Sequence, residues 1–190
     1  QFIKVEFDAK RDALLELLGV DKNTLTLPSE DRVLREKTLI FVDTRSAALQ
    51  LAAFLADTGI PTTSMHSDRT QEDREESLRG LKRGTFAIMV ATGVAERGLD
   101  VQGIDHVINY DLPEISAKVR KSRKVEPTSL LVMIKWWREK NQSIDDYVHR
   151  IGRSGRVGYE GRSTTFIDPR GRRERFIIGP LIEILQEAGQ

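Results

Sequence analysis

Residues 38–65 read TLIFVDTRSAALQLAAFLADTGIPTTSM, and this stretch decides the fold. The short apolar run at 38–42 has the length and composition of a strand that is covered on both faces. A helical spacing of apolar residues follows over 46–55 and ends near Gly59, before a second short strand at 61–65. A strand, a helix and a strand in this order predict a βαβ unit with parallel strands.

The same alternation continues outward from this unit. The sequence predicts further strands at 2–7, 86–91, 105–110 and 163–167. It predicts further helices at 9–18, from Thr70 to about Lys82 and at 172–188, and a connecting loop at 23–36. We therefore expect an α/β fold, with a parallel β-sheet flanked by helices on both faces. Ligands of such sheets bind beyond the carboxyl ends of the strands, so the loops after Val42, Met65, Ala91 and Tyr110 are the first places to search for chemistry.

Composition narrows the function classes. The chain has 190 residues, 39% of them hydrophobic and 31% charged, which is typical of a globular α/β domain. It contains no cysteine and three histidines, so we expect no disulfide framework and no metal site. No run approaches the roughly 20 apolar residues of a membrane span, and we expect no membrane association. The net charge of +1 does not by itself indicate a nucleic-acid partner, so such a partner must be argued from the placement of the arginines.

The most informative segment is HRIGRSGR at 149–156, which spaces three arginines between glycines. A guanidinium is always charged, and its planar fork matches phosphate oxygens. Glycines let the backbone and neighbouring loops approach a bulky anion closely. A solvated basic turn would have the same composition, so this segment alone leaves both interpretations open.

Two upstream segments carry the same kind of chemistry. ATGVAERGLD at 91–100 follows a buried strand and offers a hydroxyl, an arginine, a glycine and an aspartate to phosphate or sugar. HSDRTQEDR at 66–74 puts Gln71 and Arg74 on one face at the start of a helix, where unpaired N–H groups can meet a phosphate. An exposed Arg74 paired with Asp73 or Glu75 is the simpler interpretation of that residue.

Together and in this order, the segments resemble the C-terminal half of the DEAD-box ATP-dependent RNA helicases. The resemblance is carried by LIFVDT at 39–44, H-x-D-x-x-Q-x-x-R at 66–74, VATGVAERGLD at 90–100, VINYDLP at 107–113 and YVHRIGRSGR at 147–156. The amino-acid sequences of the second and last segments are most similar to those of the branch that contains Vasa. The resemblance implies a RecA-like fold over residues 1–190, which would form one helicase C-terminal domain.

The resemblance also implies roles for individual residues. Arg153 and Arg156 would be arginine fingers that reach the γ-phosphate, and Gly98 and Asp100 would face the nucleotide. His149 and Arg150 would couple the cleft to the partner domain. The residues expected along the RNA backbone are Arg45, Gln71, Arg74 and Thr92.

The implied cofactor is ATP with Mg²⁺, and the metal would be held mainly by an N-terminal RecA-like domain that is not part of this sequence. Neither G-x-x-x-x-G-K-[ST] nor Asp-Glu-Ala-Asp occurs in the 190 residues. We therefore expect the isolated domain to be inactive. The implied partners are RNA and the N-terminal domain, while the face away from the cleft is left for regulatory proteins. By the same resemblance we expect a cytoplasmic protein that can also be nuclear.

Several positions depart from the family pattern. Ser67, Gly93 and Glu96 stand where the family usually has Gly, a small polar or acidic residue, and Ala or Ser. The insertion at 115–142 holds eight Lys and Arg residues against two Glu residues, and it includes Trp136 and Trp137. It is either a basic arm that contacts RNA or protein, or a segment with no family role.

Two other functions remain compatible with these residues. A non-catalytic helicase-like module would bind RNA or a partner protein without using ATP, although it would have no need for Arg153 and Arg156. A helicase of the same superfamily that acts on DNA would share the arginine-rich segment, but the 66–74 segment favours the RNA-directed type.

Overall fold

The computed structural model describes residues 1–21, 36–93, 103–113, 143–155, 161–171 and 174–187. The strands in these parts are β1 Phe2–Lys4, β2 Thr38–Val42, β3 Thr62–Met65, β4 Ile88–Thr92, β5 His106–Asn109 and β6 Arg162–Ile167. The helices there are α1 Lys10–Leu18, α2 Arg45–Asp57, α3 Gln71–Arg83, α4 at 143–151 and α5 Glu174–Glu187. A 3-10 turn, Phe7–Ala9, precedes α1. Most of the predicted loop at 23–36 and the whole insertion at 115–142 lie outside the described residues.

The six strands form one parallel sheet in the order β1-β6-β5-β2-β4-β3. The central strand β2 pairs with β4 on one side and β5 on the other, which places Phe41 beside Ala91 and Asn109. All five residues of β2 are buried, as expected for a continuous apolar run between two layers of helices. The parallel arrangement puts every carboxyl end at the same edge of the sheet, called the carboxyl edge below.

Helices cover both faces of the sheet, as the sequence predicted. Alternate residues of each strand point to opposite faces, so the sheet has two separate apolar cores. One core joins α1 and α2 to the sheet through Leu14, Leu18, Ile40, Leu51, Leu55 and Ile88. The other joins α3 to the opposite face through Leu39, Phe41, Leu81, Met89 and Val107. A third cluster packs α4 against α5 through Tyr147, Ile177 and Leu181.

Local sequence signals fix the helix ends. Thr44 caps α2 by accepting from the Ala47 N–H at 3.1 Å. Thr70 and Asp73 form a reciprocal capping box at the start of α3, which confirms the predicted cap. Gly19 and Gly84 follow α1 and α3 with φ of 75° and 80°, a left-handed conformation that favours glycine.

Two predicted strands differ from the observed ones by two or more residues at one end, and the others agree to within one residue. The strand predicted at 2–7 ends at Lys4, because Phe7 begins the 3-10 turn that leads into α1. The strand predicted from Phe86 begins at Ile88 instead. The Phe86 ring lies against α3 at Gly80, where an added Cβ would come within 2.5 Å of the ring, and this packing holds Phe86 out of the strand.

Candidate functional site at the carboxyl edge

Most of the described residues that the sequence singled out lie at or close to the carboxyl edge. The loops after β2, β3, β4 and β5 begin there, and α4 packs nearby. The described residues include seven of the predicted site residues: Arg45, Gln71, Arg74, Thr92, His149, Arg150 and Arg153. Gly98, Asp100 and Arg156 lie outside them, so their predicted roles stay predictions.

Arg45 is the first residue of α2, directly after the Thr44 cap. Its guanidinium forms an ion pair with Asp68 in the loop after β3. The side chains of Arg45 and Asp68 are 58% and 50% exposed, so solvent surrounds this pair. The hydrogen bonds from Ser67 and Arg45 lower the pKa of Asp68 from its usual value, which keeps it ionised. The pair therefore connects the loops after β2 and β3 on the surface of the domain.

The capping box of α3 displays Gln71 and Arg74 in the first turn of the helix. Gln71 donates to Glu75 at 3.0 Å. Arg74 reaches back over the preceding loop and donates to the Ser67 carbonyl at 3.2 Å, rather than forming the helix ion pair that the simpler interpretation predicted. Its Nε is buried and has no hydrogen-bond partner among the described residues. Ser67, one of the departures from the family pattern, thus positions Arg74 through its main chain.

His66 lies between the end of β3 and these arginines and is only 6% exposed. Neither ring nitrogen has a hydrogen-bond partner among the described residues. Burial lowers the pKa of His66 from its usual value of 6.5, and the positive charge of Arg69 lowers it further. His66 is consequently neutral near pH 7.

Thr92 ends β4 and is 6% exposed, and Gly93 follows it. A Cβ added at Gly93 would lie 2.9 Å from the Nη2 of Arg150. Glycine at this position therefore lets the guanidinium lie directly against the backbone after β4. The departure noted at position 93 has a local structural consequence, whereas Glu96 lies outside the described residues.

Arg150 and His149 differ in exposure, although the resemblance implied the same interdomain role for both. His149 is exposed, whereas Arg150 is 4% exposed. The Arg150 Nη1 donates to the Asp111 carbonyl at 2.9 Å, and its guanidinium carbon lies 4.8 Å from the centre of the Phe41 ring. Arg150 therefore ties α4 to the ends of three strands within this domain.

Arg153 lies in the turn after α4 and is half-buried. Its main-chain N–H donates to the Arg150 carbonyl at 3.2 Å. The turn is therefore hydrogen-bonded to the residue whose side chain is buried at the strand ends. Ser154 forms a parallel bridge with Ile104, and Gly155 follows with φ of 82°. This turn, at 152–155, is called the arginine turn below.

Sequence reasoning missed a buried ion pair at the same edge. Lys10 Nζ lies 2.9 Å from Asp111 Oδ1 and also donates to the Tyr110 carbonyl at 2.7 Å. Asp111 lies inside a segment the sequence did single out, directly after β5. Lys10 carried no signal, because a lysine near the start of an amphipathic helix is usually solvated. Burial, with the charge of Asp111 nearby, raises the pKa of Tyr110 to about 12.

The described part of the chain holds neither a membrane-spanning helix nor a metal-binding cluster. None of its helices has the length and apolar content that crossing a membrane requires. Within the same residues, His, Asp and Glu side chains form no group of three or more suited to a metal ion.

Residues 9–158 match the family model described as "Helicase conserved C-terminal domain", and the chain belongs to that family. It is 41% identical over 182 residues to the ATP-dependent RNA helicase vasa of Drosophila melanogaster, covering 96% of this chain and 21% of that protein. It is 37% identical over 190 residues to the ATP-dependent RNA helicase glh-1 of Caenorhabditis elegans, covering all of this chain and 21% of that protein. The chain thus spans about a fifth of the length of these relatives.

Solved structures confirm the RecA-like fold. The C-terminal domain of the DEAD-box protein Dbp5 is 23% identical, with a TM-score of 0.69 over 98% of this chain and 83% of that one. The C-terminal domain of S. cerevisiae Dbp5 bound to Gle1 is also 23% identical, with a TM-score of 0.64 over 97% and 83%. The resemblance to the C-terminal half of the DEAD-box RNA helicases, including Vasa, is confirmed.

Proposed function

We propose that the chain is the C-terminal RecA-like domain, over residues 1–190, of an ATP-dependent RNA helicase. In this proposal Arg153 and Arg156 act on a nucleotide that a neighbouring domain mainly holds. The observation that carries the proposal is the attachment of the arginine turn to the strand ends. Arg150 contacts Gly93 and the Asp111 carbonyl, and its own carbonyl accepts from the Arg153 N–H.

The residues present fit the triphosphate end of ATP. Arg153 is half-buried in a glycine-flanked turn, where a guanidinium can reach phosphate oxygens while its surroundings limit screening by water. Arg156, Gly98 and Asp100 would complete this chain's contribution. ATP with Mg²⁺ supplies the phosphoryl group that is transferred to water. Arginines in this role stabilise the negative charge of the transition state and raise rates by about 10³–10⁵ in related NTPases.

The RNA surface would be formed by Arg45, Gln71, Arg74 and Thr92. Arg74 is half-buried, and its hydrogen bond to the Ser67 carbonyl holds the guanidinium over the loop after β3, where it would meet a phosphate or ribose oxygen. Exposure of the Arg45–Asp68 pair means that Arg45 can exchange a carboxylate for a phosphate. Contacts of this kind fix the RNA backbone without reading bases, so the binding would be independent of sequence.

Coupling between the two ligands would be a population shift. RNA contacts from the loops after β2 and β3, and nucleotide contacts from the arginine turn, both favour the closed arrangement of two domains. Closure would bend one RNA strand and part a short duplex, and product release would reopen the cleft. Within this scheme His149, which is exposed, would contact the partner domain.

Other parts of the proposal rest on the relatives. Dbp5 has been solved with Gle1 bound to its C-terminal domain, which supports a regulatory protein on this domain as well. The resemblance to the Vasa-containing branch is the basis for proposing a cytoplasmic protein that can also be nuclear.

The first test is Arg153→Ala in the complete helicase. We expect RNA-stimulated ATP hydrolysis to fall by about 10³-fold or more, while nucleotide affinity changes little, because the guanidinium acts mainly on charge that develops in the transition state. Hydrolysis rates with saturating RNA and equilibrium binding of a fluorescent nucleotide measure the two quantities.

Arg170→Ala is the matched control, because Arg170 is 78% exposed and pairs with Glu6 on the surface. It should leave hydrolysis unchanged. Normal turnover of Arg153→Ala would overturn the arginine-finger assignment, whereas a complete protein that binds RNA but hydrolyses no ATP would support the non-catalytic module.

A further inference from the structure

Asp111, directly after β5, joins three separate segments of the carboxyl edge. Its Oδ1 accepts from Lys10 Nζ of α1 at 2.9 Å, and its Oδ2 accepts from the Asp43 N–H after β2 at 3.1 Å. Its carbonyl accepts from Arg150 of α4 at 2.9 Å. One residue therefore uses both carboxylate oxygens and its main chain to hold a helix, a loop and a second helix together.

Two of these segments carry residues of the proposed function. The loop that Asp43 begins leads within two residues to Arg45, an RNA-binding candidate. The helix that carries Arg150 leads within three residues to Arg153, the proposed arginine finger. The loop from Asp43 to Arg45 is called the RNA-side loop below. Asp111 thus joins this loop to the arginine turn through its hydrogen bonds with Asp43 and Arg150.

Lys10 fixes the direction of the Asp111 carboxylate. Its ammonium group has four contacts: the Asp111 carboxylate, the Tyr110 carbonyl at 2.7 Å, and the Tyr110 and Phe7 rings, whose centres are 5.2 and 5.9 Å away. Lys10 is 4% exposed, and the Asp111 side chain is 17% exposed. Removing two charges from water costs free energy that their attraction often fails to offset, so apolar residues of similar volume commonly stabilise a fold as well. Stability alone therefore gives little reason for a charged pair at this position.

We propose that Lys10 and Asp111 form a positioning pair that holds the RNA-side loop and the arginine turn in one arrangement, so that ATP hydrolysis depends on bound RNA. The inference rests on the proposed function and adds two residues to it. Neither residue touches substrate in this account. They act through Asp43 and Arg150, whose hydrogen bonds to Asp111 set the separation of the two segments.

The test compares Asp111→Asn, Lys10→Met and the double variant in the complete helicase. Each single variant leaves one buried charge without its partner and is expected to lower the melting temperature. The double variant has no unpaired charge and should recover most of that loss. Asp111→Asn keeps an oxygen that can accept from the Asp43 N–H, so it is the milder of the two single variants.

For the double variant we expect the maximal RNA-stimulated rate to fall about tenfold, because displacements of about 1 Å in a site can cost up to 10²-fold. The RNA concentration for half-maximal stimulation should rise about threefold or more, while nucleotide binding without RNA stays unchanged. A purely structural pair would instead recover its RNA-stimulated rate together with its melting temperature. Wild-type RNA stimulation in any folded variant of the three would overturn the proposal.

Two further variants separate the possible failures. Glu6→Gln removes the exposed ion pair with Arg170 and should change neither stimulation nor melting temperature. If Arg153→Ala abolishes hydrolysis while the double variant hydrolyses normally, only the positioning pair is wrong. If Arg153→Ala itself hydrolyses normally, the proposed function fails first.

Discussion

Two regions with arginines at the carboxyl edge are built in different ways. After β2, Arg45 is 58% exposed and pairs with an exposed carboxylate, Asp68. On α4, Arg150 is 4% exposed and holds a main-chain carbonyl and an aromatic ring. An exposed guanidinium can exchange its protein partner for a phosphate at small cost, whereas a buried one fixes the segments around it. The same side chain is thus accessible to a ligand in one region and fixes internal geometry in the other.

The largest effect on stability is expected from Arg150→Ala. The change leaves the Asp111 carbonyl without its donor and removes the contact with the Phe41 ring, so we expect the free energy of unfolding to fall by about 2–4 kcal/mol. Chemical denaturation of the chain measures this loss. Arg150→Lys keeps the charge but not the planar fork and should lie between Ala and the wild type. A loss no larger than that of Arg45→Ala would show that Arg150 is not the internal tie described here.

A smaller effect is expected from the titration of His66, a buried residue directly after β3. Its pKa in the folded protein is below 6.5, so the unfolded chain takes up this proton more readily. The stabilisation that depends on neutral His66 is complete above pH 6.5 and is lost as pH falls through the lower folded pKa. Melting temperatures between pH 7.5 and 5.5 should therefore fall more steeply for the wild type than for His66→Asn. Equal slopes would contradict this assignment.

Sequence alone predicted most of the fold. The apolar run of β2 and the Thr70 capping signal each correspond to an observed element, because burial on both faces and helix capping are local properties. Phe86 was misplaced because its ring packs on Gly80 of α3, a contact between segments that no local pattern records.

The site was predicted less completely than the fold. Motif spacing located Arg150 and Arg74. It could not distinguish a buried side chain that holds segments of the domain together from a side chain that is accessible to a ligand. Lys10 and Asp111 are 101 residues apart in sequence, and only the sheet order brings them together. The ion pair between them could therefore be found only in the three-dimensional structure.

The smallest effect on stability, and a distinct effect on binding, is expected for Arg45→Ala. Loss of an exposed ion pair should leave the melting temperature almost unchanged. In the complete helicase, the slope of log RNA affinity against log salt concentration should fall by about 0.7, the value for one phosphate contact to a single strand. Arg79→Ala, which removes an exposed helix pair with Glu75, is the matched control and should keep the wild-type slope. An unchanged slope for Arg45→Ala would remove it from the RNA surface.

In the proposed function, the arginine turn is held in place by Arg150 and would direct Arg153 toward a nucleotide bound mainly by the neighbouring domain. A structure of the complete helicase with RNA, ADP, Mg²⁺ and aluminium fluoride tests it most directly. The account predicts the Arg153 guanidinium within about 3 Å of the fluoride group that mimics the transferred phosphoryl. An Arg153 directed away from that group, with the two domains closed on RNA, would contradict it.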